Sequence, residues 1–250
     1  MKSNGPRILV ININTTESFT KKIEKAAKAY ARPGTEIIAV TATRGTPSME
    51  DFYDEYLSTV GVIESAKKVM AKEKIDSIIL GCAADAGLYA LKEAFDIPAI
   101  GLVESMIGVA NILGYKFSIL TFLNRFVPHM ELLIRKYGQE SRCASIRSID
   151  MTVLDIGAKP NLVFQKLEKE GRKAVEEDAA DVILFGCTGM SDLDKKLEKK
   201  LGVPVLDGYA CAVKMAEAIY DYKLKPSKTH LFKKSEPKEV IGYPDILQPK

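Results

Sequence analysis

Two cysteines of this 250-residue chain sit in stretches that repeat one another. Cys82 closes the apolar run of IDSIILGCAADAGL, Ile75 to Leu88, and Cys187 closes that of ADVILFGCTGMSDL, Ala180 to Leu193. Each run ends in Gly-Cys, continues through small and polar residues and passes into a helical pattern. Asp76–Cys82 aligns with Asp181–Cys187 at an offset of 105 residues, and DIPAIGLVESMIGVA from Asp96 faces GVPVLDGYACAVKMA from Gly202 at an offset of 106. A short apolar run bounded by Gly and followed by a helix reads as a buried parallel strand, which puts each thiol at a strand's C-terminal end. Open α/β sheets bind their ligands at that edge. A thiol there, just ahead of a helix, meets backbone N–H groups and the positive end of the helix dipole, and both favour thiolate.

Two such thiols facing one ligand allow a reaction that a single thiol cannot perform. A thiolate removes a proton from one face of a carbon, a thiol returns a proton to the other face, and the configuration inverts. A free Cys, with a pKa of about 8.5, needs only modest tuning to serve as either base or acid. A lone Cys after an apolar strand is more often a small buried hydrophobe; duplication at equivalent positions favours chemistry. Cys143, in an expected strand, and Cys211, within the helical run GYACAVKMAEAI, have no such counterpart and are assigned to packing. Asp85 and Asp192, the carboxylates nearest the two motifs, read as helix caps or surface groups rather than general bases. His129 and His230 are distant from both motifs in sequence, which argues against a Cys-His nucleophile. With no CxxC or HxxxH spacing, no metal site is expected.

The elements that must hold these residues alternate between strand and helix, which implies parallel sheets wrapped by helices. The strand Arg7–Asn12 leads through a polar turn, Asn12–Thr16, into a helix from 17 to 31, ended by Pro33 and Gly34. A strand, 36–42, precedes the loop RGTPSMED from Arg44, which has the length of a lid and equally of an ordinary connection. A helix over 51–72 leads to the first Cys unit, then a helix to Phe95, a strand over 98–102 and a helix over 104–113. The strand KFSILT ends at Thr121 and runs through FLNR into a helix to Tyr137, so Thr121–Arg125 takes in the second half the place of Asn12–Thr16. A strand over 144–149, a loop through Gly157 and Pro160 and a helix over 162–178 lead to the second Cys unit, a strand over 203–206 and a helix over 209–222. Beyond Tyr222 the pattern fails. Residues 223–250 read as an irregular tail, either loose or anchored through LFKK and VIGYPDIL to the body or a neighbouring subunit. The repeat implies two similar lobes, 1–114 with 208–222 and 115–207.

Composition narrows the class. Lys plus Arg number 36 against 33 Asp plus Glu, so the net charge of +3 suggests neither a nucleic-acid nor a membrane-surface partner. No stretch reaches about 18 uninterrupted apolar residues, and the N-terminus enters a strand with no signal-peptide pattern. A cytoplasmic location is expected, where four Cys do not make a disulfide framework.

These motifs together closely resemble the hydantoin and allantoin racemases of the aspartate/glutamate racemase superfamily, over residues 7–222. ILVININTT is similar to their INPNT motif, RGTPSMEDFYDE to RGPxSIEGYYDE, GCAADAGL to CxxDPGL and FSILTFLNR to their second-half strand and TxxR turn. FGCTGMSDL and GVPVLDGYACAVKMAEAI resemble the second Cys motif and the closing segment. The chain departs from the pattern at Ile13 and Ala86, where the motifs have Pro, at an additional Thr46, and in the tail. The resemblance implies two pseudo-symmetric α/β lobes with parallel-rich sheets flanked by helices, an active site between them, and Cys82 and Cys187 as bases on opposite faces of a small-molecule substrate. Substrate contacts would fall on Asn14, Ala83, Ala84, Thr121, Thr188 and Gly189; Arg44, Gly45, Pro47 and Arg125 are candidate lid or pocket residues. The expected activity is a cofactor-independent racemase that inverts the acidic C5 carbon of a hydantoin-type ring, in a homo-oligomer. Alternatives are an aspartate/glutamate-type amino-acid racemase, which would need Arg44 or Arg125 as a carboxylate partner, and a maleate-type isomerase. A two-lobed ligand-binding protein would predict an export signal and leaves the duplicated thiols unexplained.

Overall fold

The computed structural model describes residues 5–248, and its strands fall into two four-stranded sheets, each parallel throughout. The first sheet contains β1 (Arg7–Asn12), β2 (Glu36–Thr41), β3 (Ser77–Gly81) and β4 (Ala99–Gly101), in the order β2-β1-β3-β4. The second contains β5 (Phe117–Thr121), β6 (Cys143–Ser148), β7 (Val182–Phe185) and β8 (Val205–Leu206), in the order β6-β5-β7-β8. The same order twice is the repeat seen in the Cys motifs. Ile8–Ile11 and Ile78–Leu80 in one sheet, and Val182–Leu184 in the other, are fully buried. Such runs form central parallel strands because helices cover both faces, and each buried aliphatic side chain contributes about 1.5–3 kcal/mol.

The repeat extends to individual hydrogen bonds. Asp76 Oδ2 accepts from Arg7 N at 2.9 Å, and Asp181, 105 residues on, accepts from Lys116 N at 2.8 Å. Asp76 N and Asp181 N each donate back, to the carbonyls of Arg7 and Lys116, at 2.9 Å. The Ile78 N–Pro98 O bond, 2.8 Å, has its counterpart in Ile183 N–Pro204 O, 2.9 Å. An aspartate at the entry of β3 and of β7 thus fixes each Cys-bearing strand against its neighbour.

The helices are α1 (Glu17–Tyr30), α2 (Phe52–Met70), α3 (Leu88–Ala94), α4 (Leu102–Leu113), α5 (Val127–Lys136), α6 (Val153–Ala158), α7 (Pro160–Glu176), α8 (Asp194–Leu201) and α9 (Gly208–Asp221). Asp51 starts α2 by accepting from Asp54 N at 3.0 Å. Helix α6 lies where the sequence reads as a loop: Thr152 accepts from Asp155 N at 3.2 Å as its N-cap, and Pro160 then opens α7. Two local cap signals outweigh Gly157 there.

The chain forms two compact units. One runs to Gly81 and contains Ala86–Gly101 and the chain from Val213 on; the other is Cys82–Asp85 with Leu102–Ala212. The division falls ahead of α4 rather than at residue 114, because α4 packs against β7, and within α9 rather than at 208. In the tail, Phe232 meets the Tyr89 ring edge-on at 5.3 Å, and Lys228 Nζ donates to the carbonyls of Lys92 and Glu93 at the end of α3. LFKK is therefore anchored on its own chain. In the other tail segment, Gln248 bonds Val240 N and O, at 2.8 and 2.9 Å. Residues 249 and 250 lie outside the described residues.

Candidate active site

Cys82 directly follows β3 and Cys187 follows β7 by one residue, and both belong to the second unit. Each opens the same short turn. Asp85 N donates to Cys82 O at 3.1 Å, and Met190 N donates to Cys187 O at 3.1 Å, again 105 residues apart. Gly186 lets β7 reach that turn, since a Cβ there would stand 2.9 Å from Ile119 Cγ2 and 3.1 Å from Leu120 O. The thiols are 4% and 6% exposed. Among the described residues, no group accepts from the N–H of Ala83, Ala84, Thr188 or Gly189, the first donors of each turn. Such N–H groups are available for an oxyanion.

The expected helix ends are arranged differently. Five turn residues separate Cys82 from α3, which has only seven residues, and Cys187 leads into a 3₁₀ turn, Thr188–Met190. The long helices whose N-termini lie here are α4 and α9. They meet where a Cβ on Gly208 would stand 2.7 Å from Leu102 Cβ, and a carboxylate caps each of them. Asp85 accepts from Val103 N at 3.1 Å and Glu104 N at 2.8 Å. Asp207 accepts from Tyr209 N at 2.7 Å and Ala210 N at 3.2 Å. The positive ends of these two helices are taken up by aspartates rather than by the thiols.

Asp85 is therefore the cap the sequence suggested, although for α4 and not on the surface. It is 2% exposed and also accepts from Tyr137 Oη at 2.7 Å. Burial pushes its carboxyl up from 3.8 to about 6. These bonds tie Cys82–Asp85 to the second unit, although β3 before them and α3 after them belong to the first. Burial likewise raises Asp207, against the Ser191 hydroxyl and the two N–H donors.

Sequence reading missed two contributors. Tyr209, at the start of α9, is fully buried, with both cysteines within electrostatic reach of its phenol. Ile156 of α6 packs on Gly189: a Cβ there would stand 2.7 Å from Ile156 Cγ2 and 3.7 Å from Cys187 Sγ. The pairing of Cys with a following DGYA segment carried a faint signal for Tyr209; α6 carried only its caps.

Thr121 ends β5 fully buried, its hydroxyl without a partner among the described residues, while Arg125 is exposed in a 3₁₀ turn, Asn124–Phe126. The remaining candidates lie in the first unit. Asn14 Oδ1 accepts from Asn12 Nδ2 and Thr16 N, each at 3.0 Å, which leaves the Asn14 amide Nδ2 to donate. The turn is joined to the loop of Arg44, Gly45 and Pro47: Thr15 N donates to Thr46 O at 3.0 Å, and Thr16 Oγ1 to Pro47 O at 2.7 Å. The additional Thr46 thus has a structural use, and Thr46 N also reaches Ser58 Oγ at 3.3 Å. Arg44 Nε pairs at 2.7 Å with buried Glu64, whose carboxyl Lys68 and Arg44 hold below the usual range. Cys143 and Cys211 are held by burial at about 11 and about 12. Among the described residues, no group of three or more His, Cys, Asp or Glu side chains is placed to hold a metal ion, and no helix is long and apolar enough to cross a membrane.

The Asp/Glu/Hydantoin racemase family model matches residues 8–216. The chain is 45% identical to the hydantoin racemase of Pseudomonas sp. (strain NS671), over 94% of both chains. Two solved structures are similar: an allantoin racemase from Pseudomonas fluorescens, 35% identical with a TM-score of 0.91 over 94% of this chain and 100% of that one, and an allantoin racemase from Klebsiella pneumoniae, 36% identical with a TM-score of 0.91 over 95% and 96%.

Proposed function

Since the chain belongs to the Asp/Glu/Hydantoin racemase family, we propose that it racemises a hydantoin-type ring, a 5-substituted hydantoin or allantoin, with Cys82 and Cys187 as the two bases. The observation that carries this reading is the duplication: two buried thiols open the same turn at equivalent ends of repeated strands, each followed by unused N–H groups. One cysteine, as thiolate, takes the C5 proton; the electron pair delocalises onto the adjacent carbonyl oxygen. That oxygen is met by the N–H groups of Ala83 and Ala84 or of Thr188 and Gly189. The other cysteine, as thiol, returns a proton to the opposite face and becomes the thiolate. Atoms and charge balance with one proton exchanged, so the step consumes no cofactor. Burial keeps water from quenching the planar intermediate unselectively. Asn14 Nδ2 and Thr121 Oγ1 are the side-chain groups assigned to ring recognition.

An acidic amino acid is the second reading. It needs a cation for the side-chain carboxylate, and the engagement of Arg44 with Glu64 counts against it. Polarimetry on chiral 5-substituted hydantoins, allantoin, aspartate and glutamate distinguishes the two. In deuterated water, Cys82→Ala and Cys187→Ala should each lose racemisation yet label opposite enantiomers at the inverting carbon. Racemisation at the wild-type rate by either variant overturns the paired-base mechanism.

A further inference from the structure

Position 209 breaks the repeat. Its counterpart in the first half, 106 residues earlier, is Val103, and both residues begin a helix that an aspartate caps. The second half places a phenol where the first has an isopropyl group. Tyr209 is fully buried, yet its hydroxyl makes no hydrogen bond of normal geometry among the described residues; the Thr188 hydroxyl is near enough only to favour its ionised form weakly. A buried hydroxyl left without a partner is a standing cost that Phe would avoid. Within electrostatic reach of this hydroxyl are Asp207, Cys82 and Cys187, the two candidate bases among them.

We propose that Tyr209 is a substrate-contacting donor, its phenolic O–H bonding the ring carbonyl next to the inverting carbon, on which charge develops as either cysteine removes the proton. This rests on the racemase reading above. The phenol suits the role because burial, followed by the negative charges of Asp207 and the two cysteines, keeps it protonated. It therefore remains a donor while a thiolate forms within electrostatic reach of it. With both thiols within that reach, it can serve proton removal from either enantiomer.

Tyr209→Phe removes the hydroxyl alone. We expect kcat to fall about a hundred- to a thousandfold in both directions, the scale for one donor to a developing oxyanion, with KM changed less than threefold and C5 proton exchange in deuterated water slowed in parallel. The melting temperature should hold or rise, because the deleted group had no partner. A structural role predicts the reverse pattern. Unchanged kcat in a variant of an active wild type overturns the role of the phenol and leaves the paired-base reading intact. Loss of kcat matched by loss of stability also overturns it, and a wild type inactive on every ring overturns both.

Discussion

Replacing Asp85 with Asn should change how stability depends on pH, by an amount set by its surroundings. The carboxylate accepts from Val103 N, Glu104 N and Tyr137 Oη, and burial raises its pKa from 3.8 to about 6 against those three bonds. Because the folded value lies above the unfolded one, the folded chain binds a proton more readily. The stability this provides is complete below about pH 3.8 and is lost as pH rises through 6. At about 1.4 kcal/mol per pH unit, the full shift corresponds to about 3 kcal/mol, of which about 1 kcal/mol appears between pH 7 and pH 5. Asn cannot titrate. The stability of wild type relative to Asp85→Asn should thus improve by about 1 kcal/mol on going from pH 7 to pH 5. Urea unfolding followed by circular dichroism at pH 5, 6, 7 and 8 measures this difference. At pH 7 the variant should be weaker by about 1–3 kcal/mol, since its amide NH2 faces N–H donors. Parallel pH curves for the two proteins, or a gap that widens above pH 7, would refute the account of Asp85.

Gly189→Ala should cost about 1–3 kcal/mol in thermal unfolding, because the new methyl strikes Ile156. Turnover should fall more than tenfold, since relief requires moving either α6 or the turn that carries Cys187. Cys143→Ala and Cys211→Ala should each lower stability by about 1 kcal/mol and leave turnover within twofold. With those two thiols held near 11 and 12 by burial, iodoacetamide at pH 8 should modify them slowly, which peptide mapping can follow.

The parallel strands, the doubled Cys motif and the order of elements were legible in the sequence because they depend on local signals. Short apolar runs bounded by Gly and leading into helical patterns read as buried strands, Asp76 and Asp181 recur at strand entry, and polar turns follow β1 and β5. The family followed from the same motifs. Helix α6 was missed although its caps, Thr152 and Pro160, are local, because six residues containing Gly157 leave no period to read. Whether a polar side chain is buried, and beside what, was decided only in three dimensions. Asp85 is raised by burial, and the Tyr137 hydroxyl that partly offsets the rise comes from a residue well downstream in sequence. Tyr209 opens α9, which packs on α4 at Leu102 and Gly208, and has Cys82 and Cys187 within electrostatic reach. Arg44 is neutralised by Glu64 from the next helix. Residue type and spacing determine which groups can do chemistry; desolvation and long-range neighbours determine their protonation and partners, and those exist only once the chain has packed.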